Sequence, residues 1–339
     1  MIELGDLDTE LLMHAFNKRI AGQEETKWLL SAAVTMHYKI QWINEETCLT
    51  SGAVKYTSGN IIIYGPSGCG KTEFFRVLRD ELNVPIEVID STAVSGAGYK
   101  GNTLIDLMGE YVRKYEDMAD KGIIIFDEFD KLLDLAAKEG NAGEYAKGFL
   151  NEFLKFSEGT MVHTEYGDLD TSDLMMVFVG SFRSLLKEKN RDASCLGFFT
   201  NKEVKETAGG RLSTEDFISY GVSPEFMGRV NLICEVKALT KNDYKDILTY
   251  STNSPLVKYE KIFNFSNNKL TFTHAAINYL AEEATKMNLG ARGLTKILEP
   301  YMLILLATLG NKKDLSITVT DKCLKNRKMP LCKAKAVVR

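Results

Sequence analysis

Cysteine is sparse in this 339-residue chain, and the six that occur, Cys48, Cys69, Cys195, Cys234, Cys323 and Cys332, form no CxxC pair and have no histidine at zinc-ligand spacing. Neither a zinc site nor a disulfide framework is therefore expected. No apolar run approaches the roughly 18 residues that a membrane-crossing helix needs. The N-terminus opens on acidic residues instead of a basic segment followed by an apolar core, so no leader is expected and cytoplasmic residence is the default, with no membrane partner. Surplus positive charge is missing too. With a net charge of -4 and a pI near 5.8, the chain has no global electrostatic reason to bind nucleic acid. It also lacks a helix-turn-helix pattern and any internal repeat. Only the end is basic: Lys322, Lys325, Arg327, Lys328, Lys333, Lys335 and Arg339 stand against Asp321 alone, which reads as a solvated, partly disordered tail.

What is present is ordinary for a globular protein, with 45% hydrophobic and 26% charged residues, in a chain long enough for about two domains. Residues 9–18 and 24–46 read as helices, the second with an apolar face through Leu29, Ala32, Ala33, Met36 and Ile40. Short apolar runs at 61–64, 86–89, 123–126, 174–179 and 232–236 read as buried strands. Helical patterns lie between most of them, which argues for an α/β fold with a mainly parallel sheet covered by helices. After about Thr240 the pattern changes to helices near 240–250, 255–263, 273–287 and 291–309, with strand-like pieces at 270–272 and 316–319. The expected organisation is a large domain over 1–239, a smaller, mainly helical α+β domain over 240–320, and the basic tail over 321–339.

Gly65-Pro66-Ser67-Gly68-Cys69-Gly70-Lys71-Thr72 matches GxxxxGK[ST] in full, after an apolar strand and before a helical pattern over 71–82. Glycines let backbone N–H groups turn inward around phosphates, Lys71 reaches the terminal phosphates, and the Thr72 hydroxyl can bind Mg2+. Cys69 fills a free position of the motif. Ile123-Ile124-Ile125-Phe126-Asp127-Glu128 sets two carboxylates at the C-terminal end of a buried strand, the edge at which open α/β sheets bind ligands. Asp127 suits the metal, and Glu128 a general base that polarises the attacking water. Such pairs also serve as plain helix caps, but beside a complete phosphate loop they point to ATP hydrolysis.

Further tracts carry a family likeness. They are Gly22-Gln23 before a long helix, Ala97-Gly98-Tyr99-Lys100-Gly101, Glu158-Gly159-Thr160, Pro224-Glu225-Phe226-Met227-Gly228-Arg229 and Gly290-Ala291-Arg292-Gly293-Leu294. In this order they resemble the ClpX family of AAA+ ATPases, with HslU more distant, over roughly residues 7 to 320. The resemblance implies a homo-oligomeric ring, usually a hexamer, with ATP between subunits. It implies Arg229 as an arginine finger for the neighbouring subunit's nucleotide and Arg292 as the second sensor. Ile20 stands where the family contacts adenine, and equally reads as core. Ser181 is the candidate first sensor, although the Asn or Thr common in AAA+ proteins is missing.

The resemblance also implies what the motor pulls. Gly98, Tyr99, Lys100 and Gly101 resemble the pore loop that grips a polypeptide substrate. Lys100 replaces an aliphatic residue, which would favour acidic segments. Leu196-Gly197-Phe198 resembles the loop that docks on a ClpP-like peptidase, and also reads as a local anchor for a long loop; Phe199 departs from the usual glycine. Two departures set the chain apart. The family's N-terminal zinc-binding domain is not expected, and the segment Met161 to Asp170 is a short loop without the Arg-Lys-His substrate-reading element.

Overall fold

The computed structural model describes residues 7–47, 56–57, 59–92, 103–138, 140–195 and 210–334. The chain divides into two units. The first takes the chain up to Met13, Glu25–Gly65 and Lys71–Val236; the second takes His14–Glu24, Pro66–Gly70 and the chain from Lys237 onward.

The first unit is built on five strands, β1 (Asn60–Tyr64), β2 (Ile86–Asp90), β3 (Ile123–Asp127), β6 (Met175–Gly180) and β7 (Val230–Glu235). They form one sheet in the order β2-β3-β6-β1-β7, and every pairing is parallel. β1 and β6 are buried along their whole length, which is why they read as unbroken apolar runs and not as alternating ones. The order brings the C-terminal ends of β3, β6 and β1 side by side: Phe126 pairs with Phe178, and Gly180 with Tyr64. Beneath that edge, Phe126, Phe129, Phe153, Phe178 and Phe226 form one aromatic cluster, with Phe126 edge-on to Phe153 at 4.4 Å and Phe129 against Phe178 at 4.6 Å. Pairs of this kind add about 0.5–1.5 kcal/mol each beyond their buried area, so the strand ends and the helix that follows β3 are held at a fixed level.

Three sequence expectations are corrected here. The helix Glu24–Thr47 does not bury the face through Leu29 and Met36, which are 37% and 52% exposed. It buries Leu30, Val34, His37, Tyr38 and Gln41. That face is held by polar groups: Thr26 Oγ1 donates to the Glu235 carbonyl at 2.7 Å, Gln41 Nε2 to the Asp173 carbonyl at 2.6 Å, and the Asn44 amide exchanges two hydrogen bonds with the Tyr56 backbone. Hydropathy cannot mark a face satisfied in this way. Second, the segment 161–170 is an antiparallel hairpin, β4 (Met161–Thr164) and β5 (Gly167–Asp170), its strands too short for period-two alternation to register.

The second unit contains the helices Lys241–Thr249, Pro255–Asn264, His274–Met287 and Ala291–Leu309. They pack a core of Leu248, Phe263, Leu280, Leu298 and Ile317 with β8 (Lys269–Phe272) and β9 (Leu315–Val319). The third correction concerns the basic end. Residues after 320 are folded through Ala334, with Asp321–Asn326 helical and β10 (Leu331–Ala334) antiparallel to β9. The Thr320 side chain caps that helix, and Cys323 and Leu324 are buried. Apolar residues every few positions thus outweigh the charge count.

Candidate ATP-hydrolysis site

β1 delivers the chain into Gly65, where it runs so close to the next strand that a Cβ would lie 2.0 Å from the Val236 carbonyl oxygen. The cause is the ladder itself, since Val236 N–H donates to the Tyr64 carbonyl at 2.7 Å. Gly68 and Gly70 take φ values of +79° and +99°, a region other residues enter only under strain. The loop then enters the helix Lys71–Glu81. Lys71 is buried, and its Nζ donates to the Gly65 carbonyl at 2.7 Å, so the ammonium is folded back along the loop it serves.

The partner acid lies where the strand order demands. Thr72 Oγ1 donates to Asp127 Oδ2 at 2.9 Å, and the Glu128 backbone N–H donates to Asp127 Oδ1 at 2.9 Å. Both carboxylate oxygens are therefore oriented. Glu128 itself has φ +57°, unusual for a non-glycine residue, which turns the chain sharply before the helix Phe129–Ala136. Its half-exposed carboxylate is ion-paired with Lys131, and that bond is the leading cause that raises the Lys131 ammonium above its ordinary value.

Ser181 follows Gly180 at the same sheet edge, but its hydroxyl is engaged, donating to Asp130 Oδ2 at 2.7 Å. Asp130 is a buried carboxylate that the sequence reading passed over. Its one available signal was the third position after Asp127, in the first turn of a helix. Arg229 is placed by its backbone, which accepts from Asn60 N–H at 3.1 Å, and its half-exposed guanidinium lies 3.5 Å from Glu158. In the sequence, Glu158 stands out only within the tract Glu158-Gly159-Thr160.

In the second unit, Gly68 meets Gly290 so closely that a Cβ on Gly290 would lie 2.3 Å from the Gly68 carbonyl carbon. Ala291 N–H donates to the Gly68 carbonyl at 2.8 Å. The phosphate-loop turn is thus bonded to the first residue of the helix Ala291–Leu309, and exposed Arg292 is the next residue. Ile20 is 6% exposed. Just after it, Gly22 has φ +62°, and Gln23 forms a two-way amide pair with the Lys237 backbone at 2.8 and 2.9 Å. Of the other candidates, Pro66, Ser67 and Cys69 lie in the loop, with Cys69 buried. Gly98, Tyr99, Lys100 and Gly101, and Leu196, Gly197 and Phe198, lie outside the described residues. Among the described residues no helix is long and apolar enough to cross a membrane.

The sequence itself is similar to those of known proteins. The family model described as the AAA domain (Cdc48 subfamily) matches residues 56–233, and the C-terminal, D2-small domain of ClpB protein matches residues 239–323. The ATP-dependent Clp protease ATP-binding subunit ClpX of Borrelia duttonii (strain Ly) is 31% identical over 333 residues, covering 90% of this chain and 75% of that protein. Its counterpart in Borrelia recurrentis (strain A1) matches to the same extent. This chain belongs to the AAA+ ATPases of the ClpX type. It is an ATPase, and the strand-end edge of its parallel sheet is the part of the fold on which the phosphate loop and the acidic pair converge.

Proposed function

We propose that this protein is an ATP-driven polypeptide unfoldase that works as a homo-oligomeric ring, usually hexameric in its family, and threads substrates through a central pore. The observation that carries the reading is the joined set Lys71, Thr72, Asp127 and Glu128 at one sheet edge, in a chain of the ClpX type. The reading assigns 1–239 to a large ATP-binding domain and 240–320 to a small one.

Gly65, Pro66, Ser67, Gly68, Cys69 and Gly70 cradle the phosphates with backbone N–H groups, and Lys71 turns from the Gly65 carbonyl to the terminal phosphates. Thr72 and Asp127 would hold Mg2+, which neutralises phosphate charge. The fit is good, because both offer hard oxygen atoms already 2.9 Å apart, and this ion takes its remaining ligands from phosphate and water. Glu128 accepts the proton of the attacking water as the new O–P bond forms and the bond to the ADP oxygen breaks. Arg229 leaves Glu158 and reaches a neighbouring subunit's γ-phosphate. An exposed ion pair is worth only about 0–1 kcal/mol, so release costs little. Arg292 follows the Gly68 contact and senses the nucleotide of its own subunit, Ser181 acts as first sensor, and Ile20 lines the adenine.

Tyr99, set between Gly98 and Lys100 with Gly101 after it, is the gripping residue, and Leu196, Gly197 and Phe198 dock on a ClpP-like peptidase. The motor is tested by ATP-driven loss of fluorescence from a stably folded reporter with an unstructured tail. The docking assignment has its own test. With a ClpP-type peptidase present, Phe198→Ala is expected to abolish degradation of the reporter and leave its unfolding intact; degradation at the unaltered rate would remove the loop from the account.

A further inference from the structure

We infer that Asp130 is a positioning residue for hydrolysis, locking the Ser181 turn to the strand end that carries Glu128. The inference rests on the reading of Glu128 as the water-activating base.

The geometry begins with register. Phe126 of β3 pairs with Phe178 of β6; two residues on stand Glu128, just past the end of β3, and Gly180, the last residue of β6, and Gly180 pairs with Tyr64, the residue before the phosphate loop. Three catalytic-edge segments are therefore neighbours, yet they are separate chain turns that a sheet alone does not hold in fixed relation. Asp130 supplies the link. It lies two residues past Glu128, is 8% exposed, and its Oδ2 accepts from Ser181 Oγ at 2.7 Å and from the Phe182 backbone N–H at 3.1 Å. A carboxylate this deep is tolerated only where donors replace water, and both of these donors come from the one turn after β6.

The turn is shaped to receive it. Phe182 has φ +47°, a conformation costly for a bulky residue. It is held there by the bond from its N–H to Asp130 and by burial of its ring against Phe217 at 5.2 Å. Gly180 leaves the room: a Cβ there would lie 2.6 Å from Asp130 Oδ1 and 2.7 Å from the Phe182 ring. One helical turn on, Asp134 repeats the device, accepting from Ser184 Oγ at 3.3 Å and from the Tyr220 hydroxyl. The helix Phe129–Ala136, which follows Glu128 directly, is thus strapped at two points to the segment that starts at Ser181. Glu128 is thereby tied to Ser181, the residue after Gly180, which pairs with the strand that leads into the phosphate loop.

The test uses the full chain, assembled with Mg-ATP, as Asp130→Asn, Ser181→Ala, the double variant and Glu128→Gln. Turnover, KM and the affinity for a fluorescent ATP analogue are measured for each. Misplacing a catalytic group by about 1 Å costs on the order of 100-fold. Asp130→Asn is accordingly expected to lower kcat about 10- to 100-fold, with KM and analogue affinity changed less than about threefold. The double variant is expected to be no worse than Asp130→Asn alone, because the two residues act through one bond. Unchanged kcat in Asp130→Asn, a parallel loss of nucleotide affinity, or effects of the two substitutions that add would each overturn the inference. If Asp130→Asn does not fold, Asp130→Glu decides, since it keeps the charge and displaces the carboxylate from Ser181 and Phe182, and wild-type kcat in that variant overturns the inference. Turnover surviving in Glu128→Gln would sink the underlying reading as well, whereas an inactive Glu128→Gln beside an unaffected Asp130→Asn sinks the positioning role alone.

Discussion

Glu128→Gln is expected to lower steady-state ATP turnover by about 10²- to 10⁴-fold, the usual worth of a positioned general base, while Mg-ATP still binds. The substitution keeps the shape and the turn at φ +57° and removes the capacity to take a proton. It also removes the ion pair with Lys131, but both side chains are largely solvated, so that loss is worth little in stability. Binding should persist because Lys71, Thr72 and Asp127 are untouched and are organised by their own bonds. The check is kcat from phosphate release alongside the affinity for a fluorescent ATP analogue. A fall in affinity matching the fall in kcat would mean that Glu128 holds the site together and does no chemistry there.

Arg229→Ala carries the largest expected effect, a loss of about 10³- to 10⁵-fold in the turnover of the assembled protein. The Arg229 side chain is half-exposed and its pair with Glu158 is solvated, while its backbone bond from Asn60 is untouched by the substitution, so the isolated subunit should melt close to the unaltered one. A guanidinium offered to a neighbour gives a sharper expectation. Mixing Arg229→Ala with Glu128→Gln should restore turnover that neither shows alone, because a subunit with an intact base then stands beside one with an intact finger. Phosphate release from the mixture checks this, and no recovery at concentrations where the ring forms would place Arg229 outside the reaction.

Much of this was legible in the sequence for an identifiable reason. The central strands β1, β3 and β6 are buried almost throughout and so appear as apolar runs such as Ile61-Ile62-Ile63 and Ile123-Ile124-Ile125. The phosphate loop needs glycines that nothing else replaces, as Gly65 against Val236 demonstrates. Gly22-Gln23 stood out as a family tract, and its physical basis is a left-handed turn closed by the Gln23 amide on the Lys237 backbone.

Apart from the hairpin at 161–170, the misreadings share a cause, which is that a polar side chain is not by itself an exposed one. The helix Glu24–Thr47 buries threonine, histidine, glutamine and asparagine because strand ends and loops offer them partners. Asp130 disappears among the many acids of the chain, and only the structure shows two donors closing on it. The basic end folds because Cys323 and Leu324 are buried, a contribution that a tally of lysines hides. The contact between Gly68 and Gly290 joins residues far apart in sequence, and neither glycine alone announces it.

The most direct test of the central claim is the fluorescence of a stably folded reporter with an unstructured tail, incubated with the assembled protein and ATP. The account predicts loss of fluorescence that requires ATP hydrolysis, is absent with Glu128→Gln, and falls sharply with Tyr99→Ala. A reporter that keeps its fluorescence while ATP is steadily consumed would leave an ATPase of the ClpX type that does not pull on polypeptides, and would contradict the account.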